Sequence, residues 1–308
     1  MPRASQVAAR ENVVRRAQVV VAPNPRRTQP AGVRRLRFLR TVGDHSLAIV
    51  FAVIFVSPFV FVVLTSLMTQ HQALSRDLWP HPFQWGNYIE VFRQEPILRY
   101  AWNTVVYAGL ATVGVVLSSV PVAYALSRIR WKGRQAVFLI VIATMMLPAQ
   151  VTIVPLYLIF VRLGWIGTLW PLIVPAFFGD AFSIFLLRQF FLTIPEELVD
   201  AARVDGANEF QIMWHVIVKL AKPAIAAVGL FQFLYAWNDF FGPLVYDGGN
   251  PQIWTLSVGL QQFTTIHRGV LWNLQMAASV MFMVPIIILF LFAQKAFIEG
   301  ITLTGVKG

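Results

Sequence analysis

The chain contains no cysteine, and its 14 acidic and 25 basic residues make up only 13% of 308 positions. The first absence excludes disulfides and thiol chemistry, although it says little about compartment. The second, with 57% hydrophobic residues and a mean hydropathy of +0.64, excludes an ordinary soluble domain of this length. No G-x-x-x-x-G-K-[ST] phosphate loop occurs anywhere, so the chain lacks its own means of gripping ATP by that motif. His71 and His81 have no partners at metal-ligand spacing and read as exposed loop histidines, so no metal site is expected.

Long apolar runs take the place of charge. Stretches near 46–67, 102–127, 137–160, 170–191, 220–245 and 274–298 each reach the roughly 20 residues needed to cross a bilayer. The fold class is therefore an all-α polytopic membrane protein with six transmembrane helices, which places both termini on one side. The net charge of +11 follows topology. Every Lys and Arg except Arg76, Arg93, Arg99, Arg162 and Arg268 falls on the side that carries the N-terminal tail, the segment 128–134, the segment between the fourth and fifth runs, and the C-terminus. The positive-inside rule makes that side cytoplasmic. Residues 1–45 read as an Arg-rich tail, largely disordered, without a single Lys. A transit peptide is the rival reading of the tail, but its length and prolines fit weakly, and no cleavable secretory signal is expected.

Between the fourth and fifth runs lies a polar stretch with legible punctuation, Thr193 to Gln211. Thr193 and Glu196 have capping-box spacing, Pro195 falls in the first turn, and Gly206 suits a left-handed stop, predicting a helix over about 194–205. Asn208 and Gln211 repeat the capping pattern and start a second helix that runs on through Ile212, Val216 and Leu220 into the bilayer. Glu196, Asp200 and Arg203 share one helical face, away from Leu198, Ala201 and Ala202. A solvated loop is the plain reading of such a segment.

The spacing of Asp200, Ala201, Ala202, Gly206, Val216, Val218 and Lys219 resembles the cytoplasmic coupling loop of ABC importer permeases, whose usual form is Glu-Ala-Ala, three residues, Gly, nine residues, Ile-x-Leu-Pro. Here Asp200 replaces Glu and Lys219 replaces Pro, which predicts a continuous helix where the family often has a break. The phrases Trp79 to Tyr88 and Ala236 to Leu244, and the terminus Gln294 to Gly308, resemble the MalG-like permease subunits of binding-protein-dependent carbohydrate (maltose/trehalose-type) importers. The resemblance covers residues 46–308. It implies a six-span permease domain over 46–298 with a coupling loop at 194–212, and a cytoplasmic tail over 299–308 that reaches toward the ATPase. It also implies a second MalF-like permease subunit, a dimer of ABC ATPase subunits that binds ATP and Mg, an extracytoplasmic sugar-binding protein, and a bacterial plasma (inner) membrane location. The chain itself is then no enzyme, and it holds no cofactor.

Coupling to the ATPase would fall to Glu196, Glu197, Asp200, Ala201, Ala202, Arg203, Asp205 and Gly206. Polar groups within apolar runs are costly and so mark a substrate pathway: Asp180, Ser183 and Gln232, together with Asn238 and Asp239 near the external end of the fifth run, and more weakly Asn103. Pro171, Pro175 and Gly179 before Asp180 predict an interrupted helix, where capping and pathway lining compete as roles for that carboxylate. Phe178, Phe182, Phe231, Tyr235 and Trp237 could supply the aromatic platforms a pyranose prefers, although such residues more often pack against lipid or other helices. No Lys or Arg lies deep within the runs, which favours a neutral di- or oligosaccharide over a glycerol phosphate ester. An ion-coupled secondary transporter would show inverted repeats, and none is convincing. A DNA-binding helix-turn-helix is excluded because the first helix is acid-rich and the second enters a span, so no nucleic-acid partner is expected.

Overall fold

The computed structural model describes the backbone of residues 31–266 and 271–305, and the side chains of 41–148, 150–261 and 271–294. The chain divides into two units, Met1–Phe59 and Val60–Gly308. In the first, the described part is the start of helix α1, Ala31–Ser66. Residues 31–45 of the expected tail are therefore helical. Residues 1–30 lie outside the described part.

The second unit carries the end of α1, then α2 (Gln70–Ala73), α3 (Gly86–Gln94) and the long α4 (Ile97–Ser127). After Gly133 come α5 (Arg134–Thr144) and α6 (Ala149–Arg162). A single span over 137–160 was expected, but the run is broken between these two helices. Pro148 is the reason: it lacks an N–H for the preceding turn and drives Leu147 away from helical geometry, so the chain restarts with Pro148, at ψ 135, in the N-cap position.

Helix α7 (Trp170–Ile173) tightens into a 3₁₀ turn over Val174–Phe178 and stops at Gly179, φ +96, before α8 (Ala181–Thr193). The interruption expected from Pro175 and Gly179 is present. Helix α9 (Glu196–Val204) follows, then α10 (Glu209–Ile212), a π turn (Met213–Ile217) and α11 (Val218–Leu220). A bend of 80° separates this stretch from α12, Lys222–Asn238. The continuous helix expected from Lys219 is not formed. Pro223 takes over the breaking role, because its ring and missing N–H deny Lys219 the hydrogen bond a helix would require. Asp239, with extended backbone, ends α12 before the short α13 (Phe241–Tyr246), so the expected span 220–245 is also divided. A 3₁₀ turn (Pro251–Ile253) leads to α14 (Leu256–Ile266), and α15 runs over Trp272–Gly305, well into the expected C-terminal tail. Residues 306–308 lie outside the described part.

Among the described residues, four helical stretches are long and apolar enough to cross a membrane, Thr41–Ser66, Ile97–Ser127, Trp170–Thr193 and Trp272–Gln294, and the bent pair ending at Asn238, taken as one span, makes a fifth. Helix α4 is the axis of packing, against α12, α8 and the 174–178 turn. One cluster joins Val115 and Tyr124 of α4 to Leu187 and Phe191 of α8 and Val228 of α12. A second joins Tyr100, Trp237, Leu256 and Leu274. Trp237 is thus a packing residue, buried at 3% exposure. Close approach is enforced at Gly259, where a Cβ would lie 2.3 Å from the Tyr100 ring. Gly259→Ala is expected to force the ring from its rotamer and cost about 1–3 kcal/mol, read as a lower melting temperature of the purified protein in detergent.

Candidate functional site: a capped hairpin and a polar cavity

The hairpin is rooted in the core of the second unit. Val199 of α9 is 1% exposed, and Ile212 of α10 is fully buried, in the cluster that holds Leu187 and Val228. Each such burial contributes on the order of 2 kcal/mol. Glu196 and Glu197 in the first turn of α9 and Arg203 in the last complement its dipole. The helix closes with Gly206 at φ +83, whose N–H donates to the Arg203 carbonyl at 3.0 Å while Ala207 N–H donates to Ala202 at 3.0 Å. That pair of bonds is a Schellman closure, and only glycine adopts its left-handed residue without strain. The second cap forms as expected, with Asn208 and Gln211 exchanging side-chain to backbone bonds of 2.9 Å each. Asn208→Ala is expected to cost about 1 kcal/mol and to raise hydrogen exchange at the amides of Glu209 to Gln211.

The first cap does not form. Thr193 remains the last residue of α8, its hydroxyl donating to the Phe190 carbonyl at 2.7 Å, and Pro195 occupies the N-cap position of α9 without a side-chain bond. Two helices compete for Thr193, and the upstream one holds it. Arg128, beyond α4, donates instead to the carbonyls of Phe191 and Ile194 at this junction. Burial pulls the Arg128 guanidinium below its ordinary value.

The charges of the hairpin are largely satisfied from within. Arg203 pairs with Asp200 at 3.0 Å and Glu209 at 3.2 Å. Its slight burial acts in the other direction, but those two carboxylates hold it above its ordinary value. The Tyr124 hydroxyl donates to Glu209 at 2.5 Å, and Arg130 pairs with Glu196 at 2.7 Å. Of the expected coupling residues, Glu197, Asp200, Ala201 and Asp205 are exposed, while Ala202 is half-buried and packs inward on the core. What the hairpin turns outward includes apolar side chains that sequence reasoning passed over: Val204 is 88% exposed and Phe210 69%. A valine in the last turn of the expected helix, two positions before Gly206, was the available signal.

The second site is a cavity of about 410 Å³ beside the interrupted helix. Of the residues named for the pathway, Asp180, Gln232, Tyr235 and Asp239 line it. Tyr107, Gln150, Thr152 and Tyr246 complete its polar wall. Gln150 was findable as a polar side chain within an apolar run. Tyr107 carries no such mark. Ser183, Phe182 and Asn238 are not brought to the cavity. Ser183 instead donates by hydroxyl and backbone to Asp180 at 2.6 and 2.7 Å, so that Asp180 both caps α8 and lines the cavity. Phe182 packs edge-on against Phe231, and the Asn238 amide returns to the Leu234 carbonyl at 2.8 Å. Asn103 also plays a local part, donating to the Gln252 and Trp254 carbonyls at 2.8 and 3.0 Å. Phe178 is 84% exposed. Asp239 is the knot of this wall. It accepts from the Tyr107 hydroxyl at 2.9 Å and from Gly242 N–H at 3.1 Å, and its carbonyl accepts from Ser257 at 2.6 Å.

An interrupted, cavity-lining helix beside a capped polar hairpin is a transport architecture, and comparison with known proteins decides which. Residues 96–302 match the family described as binding-protein-dependent transport system inner membrane component. The chain belongs to this family. Among relatives of the permease, the arabinooligosaccharides transport system permease protein AraQ of Halalkalibacterium halodurans is 34% identical over 92% of this chain and 99% of its own length. The trehalose/maltose transport system permease protein MalG of Thermococcus litoralis is 31% identical over 88% and 97%. The permease also resembles, at 27% identity and a TM-score of 0.75, a chain of the crystal structure of a bacterial ABC transporter involved in the import of the acidic polysaccharide alginate, covering 85% of this chain and 98% of that one. These relatives are transport subunits. Arg188 lies near the end of α8, 9% exposed, and is not among the described residues lining the cavity.

Proposed function

We propose that this permease subunit passes a neutral di- or oligosaccharide across the bacterial plasma membrane by alternating access, driven by ATP hydrolysis in partner subunits. The observation that carries the cargo class is the cavity. Hydroxyl, amide and carboxylate groups line it, and no Lys or Arg stands among the described lining residues. Hydroxyl-rich ligands are held by such mixed donor and acceptor sets, whereas a phosphate ester or uronate would face two carboxylates with no cation to offset them. The sugar transport named for the arabinooligosaccharide and trehalose/maltose relatives supports the same class.

In this reading the broken pair α5 and α6 serves as one crossing, making six, with both termini and the hairpin in the cytoplasm. Residues 194–212 dock on a dimer of ABC ATPases that holds ATP and Mg. A second permease subunit completes the pathway, and an extracytoplasmic binding protein delivers the sugar. The hairpin is suited to a lever because its buried Val199 and Ile212 tie it to α4, α8 and α12. Motion imposed on it reaches the cavity through α8, which is capped by Asp180 and ends beside the hairpin. The test is purification from native membranes with identification of the bound subunits, followed by uptake in proteoliposomes containing the recovered binding protein. ATP-dependent uptake of a neutral oligosaccharide is the expected result. Recovery without an ATPase, or uptake driven by an ion gradient alone, would overturn it.

A further inference from the structure

Three arginines gather where α4 ends, α5 begins and α8 passes. Arg188 donates from Nε to the Leu126 carbonyl at 3.0 Å, and its guanidinium lies 3.9 Å from the centre of the Phe138 ring. Arg134, one turn before Phe138, donates to the Ser127 and Ile129 carbonyls at 3.3 and 3.2 Å. Arg128 donates to two carbonyls of the α8–α9 junction, and its buried Nε has no partner. Among the described residues none of the three forms an ion pair, whereas Arg93, Arg130 and Arg203 all do.

Carbonyl dipoles occupy only some of the five donors each guanidinium carries, and they do not cancel its charge. Partly desolvated positive charge without a counter-ion is unfavourable, so the cluster is built to be completed by an anion. Arg128 and Arg134 line a cavity of about 600 Å³. Its two carboxylates, Glu196 and Glu197, belong to α9, and Glu196 is already paired with Arg130. Helix α5 leads away from Arg134 as an apolar surface, with Leu139 57% and Ile140 64% exposed. Trp131, an interfacial residue type, is exposed on the connecting loop.

We propose that the phosphate of an anionic membrane lipid seats between Arg128 and Arg134, with its acyl chains along the exposed face of α5. Basic recesses between helices at a membrane surface select such headgroups, and the adjoining apolar helix favours a lipid over a soluble phosphate. The inference does not depend on the cargo.

The experiment uses the importer complex with its native partners in nanodiscs of phosphatidylcholine, with or without phosphatidylglycerol. Native mass spectrometry reads the retained lipid and thermal melting reads stabilisation. The wild type is expected to retain phosphatidylglycerol and to melt higher in its presence. Arg134→Gln is expected to lower retention about fivefold, Arg134→Lys to preserve most of it, and Lys132→Gln, on the same loop, to leave it unchanged. Equal retention by wild type and Arg134→Gln would overturn the proposal, as would equal loss in Lys132→Gln, which would mark a diffuse surface charge. If millimolar inorganic phosphate in phosphatidylcholine discs reproduced the whole stabilisation, the occupant would be a soluble anion. If removal of the ATPase subunits raised retention from a low level in the intact complex, a carboxylate of that partner would be the occupant, and the lipid assignment would fall.

Discussion

Val204→Asp is expected to reduce substrate-stimulated ATP hydrolysis and uptake by about 30-fold or more while leaving the melting temperature of the isolated subunit unchanged. Val204 is 88% exposed at the end of α9 and buries little against its own chain. An apolar side chain held bare on a capped, rooted hairpin has its natural partner on another protein, and a central apolar anchor of an interface is worth about 2 kcal/mol or more. A carboxylate there would add an unpaired charge to the contact. Phe210→Ala should act in the same direction. Val199→Asp offers the contrast: Val199 is buried in the core, so that change should lower the melting temperature and activity together. If Val204→Asp left coupling intact, the hairpin's outward apolar face would not be the docking surface.

Asp239→Leu is expected to have the largest effect on transport among changes to the cavity. It removes the acceptor for the Tyr107 hydroxyl and for Gly242 N–H, leaving both donors stranded at the junction of α12 and α13. Losing hydrogen bonds to a charged group costs about 1.5–3 kcal/mol, in stability and in the shape of the wall. Uptake should fall by more than tenfold, with a lower melting temperature. Tyr107→Phe deletes one of these bonds and should cost about 1 kcal/mol. Asp239→Asn keeps the acceptor oxygen but removes the charge, so it separates wall geometry from charge. Under the proposed cargo class it should retain most neutral-sugar uptake. Substantial uptake by the leucine variant would show that this wall is not part of the route.

Much of the local structure was legible because it is governed by neighbours a few residues apart. The Asn208–Gln211 cap and the Gly206 stop depend on groups three to five positions away, and both are present. The break before Asp180 follows from proline and glycine chemistry in the same way. Thr193 misled because two helices had equal local claims on it. The run 137–160 misled because hydropathy does not register that Pro148 forbids helical geometry at Leu147. Lys219 misled in the opposite sense, since the break it was thought to remove is imposed four residues later by Pro223.

By itself, the amino-acid sequence determined the all-helical character, the membrane class, the concentration of basic residues in a few polar segments, the capped hairpin, and the motifs that carry the family. These rest on composition and on short-range periodicity, where each residue's contribution is nearly independent of the rest of the fold. Only the tertiary structure decided which polar residues meet. Tyr107 and Asp239 are 132 positions apart yet joined at 2.9 Å, while Asn238, adjacent in sequence, faces elsewhere. It also decided that Arg203 is spent on pairs with Asp200 and Glu209, that the hairpin's Val204 and Phe210 face outward, and that Arg128, Arg134 and Arg188 gather without an ion pair among the described residues. The physical reason is that ion pairing, cavity formation and exposure are set by the packing of α4 against α8 and α12, contacts between distant segments that no local pattern encodes.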